Sequence, residues 1–126
     1  MPTSDRISLG KAGEDRACRE LERRGYAVLA RGYRTRYGEI DIIARDGPTF
    51  VFVEVKARTD DRYGGGAEAI TLHKQAKLTA VAEHYLAVHR LHDVPCRFDV
   101  VSIGFSEGKP VVEVYQNAFD AVYAPF

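Results

Sequence analysis

The chain has 126 residues, 45% of them hydrophobic, which suits a single domain over 1–126 with its core in about 8–116 and no linker. Its 18 Lys and Arg balance 18 Asp and Glu, so overall charge gives no support for a nucleic-acid partner and such a role must come from local charge. Cys18 and Cys96 form no zinc pattern, nothing at the N-terminus resembles a secretory signal, and no apolar run approaches the ~20 residues of a membrane helix, so a reduced cytoplasmic setting without a membrane partner is expected.

In chain order, residues 8–24 are predicted to form a helix with Ser8 as N-cap and Gly25 as the stop. Glu14, Ala17, Cys18 and Leu21 recur on one stripe of it, so Glu14 is either still wet near the helix start or aimed at something charged. Residues 26–34 follow as a strand. Residues 38–45 and 50–58 are two more strands, rich in β-branched and aromatic residues, and Asp46-Gly47-Pro48-Thr49 turns one into the other as a hairpin. The three glycines Gly64, Gly65 and Gly66 lack the Lys-Ser/Thr of a nucleotide-binding loop and predict a mobile loop. A second helix spans about 71–90, its stripe running through Lys74, Gln75, Leu78, Val81, Ala82 and Tyr85. Strands at 97–104 and 110–116 complete an α-β-β-β-α-β-β order, an α/β domain with helices covering a mixed sheet.

The hairpin carries the chemistry. A turn centred between Gly47 and Pro48 sets Asp41 opposite Glu54 and Glu39 opposite Lys56. Alternation then puts Glu39, Asp41 and Ile43 on one face with Phe52, Glu54 and Lys56, and Ile40, Ile42, Val53 and Val55 on the other. Two carboxylates ~4 Å apart repel by roughly 4 kcal/mol at an effective dielectric near 20, so a cation is expected between them. Mg²⁺ or Mn²⁺ suits two acids on neighbouring strands, with the Val55 carbonyl as third ligand and Lys56 orienting a nucleophilic water or offsetting charge in phosphodiester hydrolysis. For any one of these residues a solvated sheet face is the commoner reading, but Phe50, Phe52 and Ile43 beside the acids imply partial cover. Lys74 and Gln75 extend the second helix's stripe toward this site, where they could meet the scissile phosphate or position water. The four histidines, His73, His84, His89 and His92, have no metal spacing beside carboxylates.

Residues 31–77 carry 9 Lys and Arg against 7 Asp and Glu, and against 4 once Glu39, Asp41 and Glu54 are neutralised, a balance that suits a phosphate backbone. Arg34, Arg36, Arg58, Arg62, Lys74 and Lys77 are the candidate nucleic-acid contacts.

Gly38-Glu39-Ile40-Asp41, then Phe52-Val53-Glu54-Val55-Lys56, preceded by Gly13-Glu14 and followed by Arg97-Phe98-Asp99-Val100-Val101, resembles the YraN-like bacterial proteins. These are grouped with the PD-(D/E)XK, restriction-endonuclease-like nuclease superfamily and the archaeal Holliday-junction resolvases. The resemblance runs from about residue 10 to 103 and implies Asp41 and Glu54 as metal ligands, Lys56 as catalytic lysine, Glu14 as an additional acid and Gln75 as a later polar position. Ile40 stands where the superfamily's name has proline. The expected function is a Mg²⁺- or Mn²⁺-dependent DNA endonuclease acting on branched or damaged DNA in repair or recombination, a homodimer by kinship. The alternatives are a non-catalytic nucleic-acid-binding module and a nuclease of structured RNA.

Overall fold

Strands rich in β-branched and aromatic residues alternate here with one long helix before them and one between the third and fourth. The computed structural model describes residues 2–57 and 70–123, and of residues 2–9 the backbone course alone. The elements are α1 (Pro2–Arg23), β1 (Ala27–Thr35), β2 (Gly38–Asp46), β3 (Thr49–Ala57), α2 (Leu72–Val88), β4 (Cys96–Ser106) and β5 (Lys109–Phe119), in the predicted α-β-β-β-α-β-β order. They form one mixed sheet in the order β1-β2-β3-β4-β5, antiparallel except for the β3–β4 pair. Parallel neighbours cannot be joined by a tight turn, and α2 lies in the crossover between them.

Two boundaries differ from expectation by three residues or more, the others by at most two. Helix α1 runs back to Pro2, so Ser8 lies inside it and is not its N-cap; Pro is well suited to a first helical position, where its missing N–H has no partner to lose. Strand β5 continues to Phe119, beyond the expected 116, with Asn117 at φ 51° and the Phe98–Phe119 pair re-forming after a register shift. Helix α1 does stop where Gly25 takes φ 95°.

The β2–β3 hairpin has the predicted register, with Asp46 opposite Thr49, Arg45 opposite Phe50 and Ile42 opposite Val53. Gly47 at φ 61° followed by Pro48, whose ring fixes a negative φ, gives the two-residue turn a II′ pattern compatible with strand twist.

The β4–β5 turn sets Ser106 opposite Lys109 with φ 52° at Glu107 and φ 78° at Gly108, the two positive values of a I′ turn. Glu107 is a poor residue there. Glu107→Asn should raise stability by about 0.5–1 kcal/mol, measurable as a higher urea midpoint at unchanged slope; a lower midpoint would show that Glu107 contributes something other than strain.

Each face of the sheet packs one helix. Ala17, Cys18 and Leu21 of α1 meet Ile42, Ala44, Val51, Val53, Val101 and Ile103. On the other face Leu78, Val81, Ala82 and Tyr85 of α2 meet Ile40, Ile43, Phe52, Phe98 and Val100. The apolar members of both expected stripes are buried, with Thr79 added to that of α2, whereas Lys74 at its start is exposed and Glu14 and Gln75 are half-buried. Among the described residues no helix is long and apolar enough to cross a membrane.

Candidate active site

Arg31 pairs with Ile42 and Tyr33 with Ile40, but Gly32 and Asp41 between them stay unpaired. Gly32 holds φ 60°, a conformation that a Cβ would oppose, and both strands lose their alternation at this step. Ile40 consequently packs on the α2 face and Ile42 on the α1 face, although residues two apart on a regular strand share a face. Asp41 turns toward α1, where it lines a cavity of about 170 Å³ with Glu14, Gly13, Val55 and Ile103. The expected single face of Glu39, Asp41, Ile43, Phe52, Glu54 and Lys56 is therefore corrected: Ile43 and Phe52 belong to the α2-side core with Ile40, while Asp41 lies on the α1 side.

The two carboxyls nevertheless meet. The β2–β3 ladder ends at Ile42–Val53, and beyond it the Val55 N–H donates to Asp41 Oδ2 at 2.8 Å. A carboxylate thus accepts an amide at the point where strand pairing stops, and this bond fixes its orientation between β2 and β3. Here Asp41 is within hydrogen-bonding contact of the Glu54 side chain. Burial and then the Glu54 charge push the Asp41 carboxyl up to about 7, against the opposing pull of the Val55 N–H. Glu14 is also raised, first by burial and then by Asp41, while Arg31 at 3.3 Å pulls it down. The stripe position of Glu14 thus faces both a cation and the acid pair.

Among the described residues Glu54 pairs with Lys74 Nζ at 3.1 Å. Thr71 caps α2 by accepting the Lys74 N–H at 3.1 Å, which sets the first turn and brings Lys74 to the acid. Lys74 was expected at phosphate and instead offsets one of the two carboxylates. Gln75 donates its side-chain amide to the Ile70 carbonyl at 3.0 Å, a contact within the approach to α2 and away from the acids. Lys56 is half-buried and stands in register with Ser102, whose fully buried hydroxyl has no hydrogen-bond partner among the described residues.

The other expected contacts disperse. Glu39 pairs with Arg34 across β1 at 2.7 Å and not with Lys56, because Arg34 is its neighbour in the β1–β2 register. Arg36 stacks on Tyr37 at 5.0 Å and donates to its hydroxyl at 2.8 Å. Lys77 is exposed on α2. Arg58, Arg62 and the Gly64–Gly66 loop lie outside the described residues.

A second polar cluster, centred on Asp99 in register with Val53, is not visible in the sequence pattern. Asp99, fully buried, accepts from Tyr26 Oη at 3.0 Å, Arg97 Nε at 3.0 Å and the Asn117 N–H at 2.9 Å. Arg97 also reaches Asp46 at 2.9 Å. Burial alone would depress the Arg97 guanidinium; hydrogen bonds to Asp99 and Asp46 outweigh it and hold it above its usual value. Every member is partnered, so this cluster fastens the sheet edge-to-edge and presents no free group for chemistry. Its parts come from positions 26, 46, 97, 99 and 117, too far apart for any local spacing to reveal.

Of the acid pair, Asp41 lines the small cavity, and Glu54 beside it has its charge partly offset by Lys74. Among the described residues no group of three or more His, Cys, Asp or Glu side chains gathers in a metal-holding arrangement. A cation here would rest on the pair, on backbone oxygen and on water, a donor set that suits Mg²⁺ or Mn²⁺ and not zinc.

Residues 13–103 match the model of a family described as "Uncharacterised protein family UPF0102". A UPF0102 protein of Geobacter metallireducens is 49% identical over 116 residues, covering 92% of this chain and 95% of that one. One from Syntrophus aciditrophicus is 43% identical, covering 93% and 92%, and one from Ralstonia pickettii is 52% identical, covering 76% and 80%. The matched span contains Glu14, Asp41, Glu54, Lys56 and the whole of α2.

Proposed function

The chain belongs to the UPF0102 family, and for it we propose a Mg²⁺- or Mn²⁺-dependent endonuclease that hydrolyses phosphodiester bonds in DNA. The observation that carries this reading is the contact of the Asp41 and Glu54 carboxyls under partial burial, with Lys56 two residues along the same strand. The resemblance to the PD-(D/E)XK nucleases, including the Holliday-junction resolvases, adds the expectation of branched or damaged DNA in repair or recombination, a cytoplasmic setting and a homodimer.

Asp41 and Glu54 would hold the ion, with Glu14 the nearest further acid. When bound, a divalent cation lowers the pKa of its water and polarises a phosphoryl oxygen. The Val55 N–H holds Asp41 Oδ2 in one orientation, so this donor is pre-positioned before any ligand arrives. Lys74 neutralises part of the charge on Glu54 and lowers the repulsion across the pair. Lys56 supplies a positive charge for the phosphate and orients the attacking water. The buried Ser102 hydroxyl, next to it on β4, has hydrogen-bonding capacity to spare.

The test is incubation of the purified protein with plasmid, single-stranded and four-way-junction DNA in Mg²⁺, Mn²⁺ or EDTA. Cleavage should need the metal and should be lost in Glu54→Gln. Equal cleavage by wild type and Glu54→Gln would assign the activity to a contaminant and sink the proposal. Calorimetric titration with Mn²⁺ gives an independent reading, since Glu54→Gln should remove the binding.

A further inference from the structure

Along the exposed side of α2 runs an open groove of about 570 Å³. Its floor is small: Ala76 and Ala80, one helical turn apart, with Glu83 and His84 a further turn on. Its two walls are tyrosines from separate elements, Tyr37 of the β1–β2 turn, 40% exposed, and Tyr123 of the C-terminal tail, 64% exposed. Both are held in place. The Tyr37 N–H donates to Thr35 Oγ1 at 3.0 Å, and the Arg36 guanidinium lies 5.0 Å from its ring. Buried Thr79 accepts the Val122 N–H at 2.9 Å, which ties the tail to α2 directly before Tyr123.

The groove and the acid site share helix α2. Lys74, which meets Glu54, stands two residues before Ala76, and exposed Lys77 directly follows Ala76. The first residue of β2 runs close against the same helix: a Cβ added at Gly38 would stand 4.0 Å from Lys77 Cβ and 3.8 Å from Val81 Cγ2. From Lys74 to His84 the helix covers about 15 Å. Arg36, which touches Tyr37, and Lys77, close to Gly38, stand beside the groove, whose described lining itself holds one acid, Glu83, and no Lys or Arg.

Exposed aromatic walls, a floor without bulky side chains and a cationic border are what an unpaired nucleic-acid strand requires, because bases stack on rings once they leave the duplex and phosphates follow the cations. A duplex offers no free base face to either tyrosine. We propose that this groove holds an unpaired strand of the nucleic acid, with bases stacked on Tyr37 and Tyr123 and phosphates met by Lys77 and Arg36. The inference rests on the nuclease reading and narrows its substrate to nucleic acid with a single-stranded portion.

The experiment uses the full chain in EDTA, so that binding is measured without cleavage, and fluorescence anisotropy with labelled oligothymidylate of about 12 nucleotides and a blunt duplex of equal length. The single strand should bind more tightly than the duplex. Tyr37→Ala and Tyr123→Ala should each weaken it by about tenfold, the scale of one lost base stack, whereas Tyr37→Phe, which keeps the ring, should stay near wild type. Lys77→Gln should reduce the slope of log affinity against log salt by about 1. An oligouridylate arm decides whether the strand is DNA or RNA. Unchanged single-strand binding in both alanine variants, or equal binding of duplex and single strand, overturns the groove. If those variants also cleave plasmid like wild type in Mg²⁺, the nuclease reading stands and the groove alone falls. Tyrosine-dependent binding by a protein that cleaves nothing would leave the groove standing and remove the nuclease.

Discussion

Asp41→Asn is expected to lower metal-dependent DNA cleavage by at least about a hundredfold, the scale on which loss of one electrostatic stabiliser acts at a phosphoryl or acyl centre, while making the metal-free fold more stable at alkaline pH. The two effects have one origin. Burial and the neighbouring Glu54 push the Asp41 carboxyl up to about 7, whereas an aspartate in an unfolded chain ionises near 4. Between those values the folded state keeps a proton that the unfolded state has lost, so the stabilisation this proton gives is complete below about pH 4 and disappears as pH rises through about 7. At about 1.4 kcal/mol per pH unit, the window is worth a few kcal/mol. Asparagine cannot ionise and still offers an oxygen to the Val55 N–H, so the variant's stability should be nearly flat over this range.

Urea denaturation of both proteins in EDTA at about pH 5 and about pH 8 measures the difference, and Mn²⁺ completes the test. The cation should raise the wild-type midpoint more at the higher pH, where the ligand is already deprotonated, and should leave Asp41→Asn unmoved. Wild type more stable at about pH 8 than at about pH 5 in EDTA, with no shift in Mn²⁺, would show that the pair is not a strained anionic site.

The second large effect is structural. Asp99→Ala should cost about 3–5 kcal/mol, because it leaves the Arg97 guanidinium, 18% exposed in its side chain, without the fully buried carboxylate at its Nε and strands the Asn117 N–H and Tyr26 hydroxyl. That is a large share of the 5–15 kcal/mol typical of a domain. Asp46 still faces Arg97 and limits the loss. Asp99→Asn keeps the shape but turns an amide N–H₂ toward donors, so it should recover only part of the stability. Cleavage per folded molecule should be unchanged in both, since none of the cluster's hydrogen bonds reaches Asp41, Glu54 or Lys56. A loss below about 1 kcal/mol would mean that the network is replaceable by solvent.

Much of this molecule was written in local pattern. The recurrence of Ala17, Cys18 and Leu21 at i+3, i+4 and i+7 from Glu14, and the i, i+3, i+4, i+7 recurrence of Leu78, Val81, Ala82 and Tyr85, specified both buried helix faces because a helix repeats its geometry over a few residues. Gly47-Pro48 specified the hairpin register because a two-residue turn leaves only one way to align the strands, and the partnership of Asp41 with Glu54 followed from it. Tertiary structure alone decided which way Asp41 faces. Alternation is a property of one regular strand, and it fails at Asp41 because Gly32, on a different strand, adopts a left-handed conformation and interrupts the ladder. The same holds for the ion pair of Lys74 with Glu54 and for the anchoring of Asp99. Those bonds join residues brought together by the crossover helix and by the packing of β4 and β5, and Coulombic attraction depends on distance in space, which spacing along the chain does not encode.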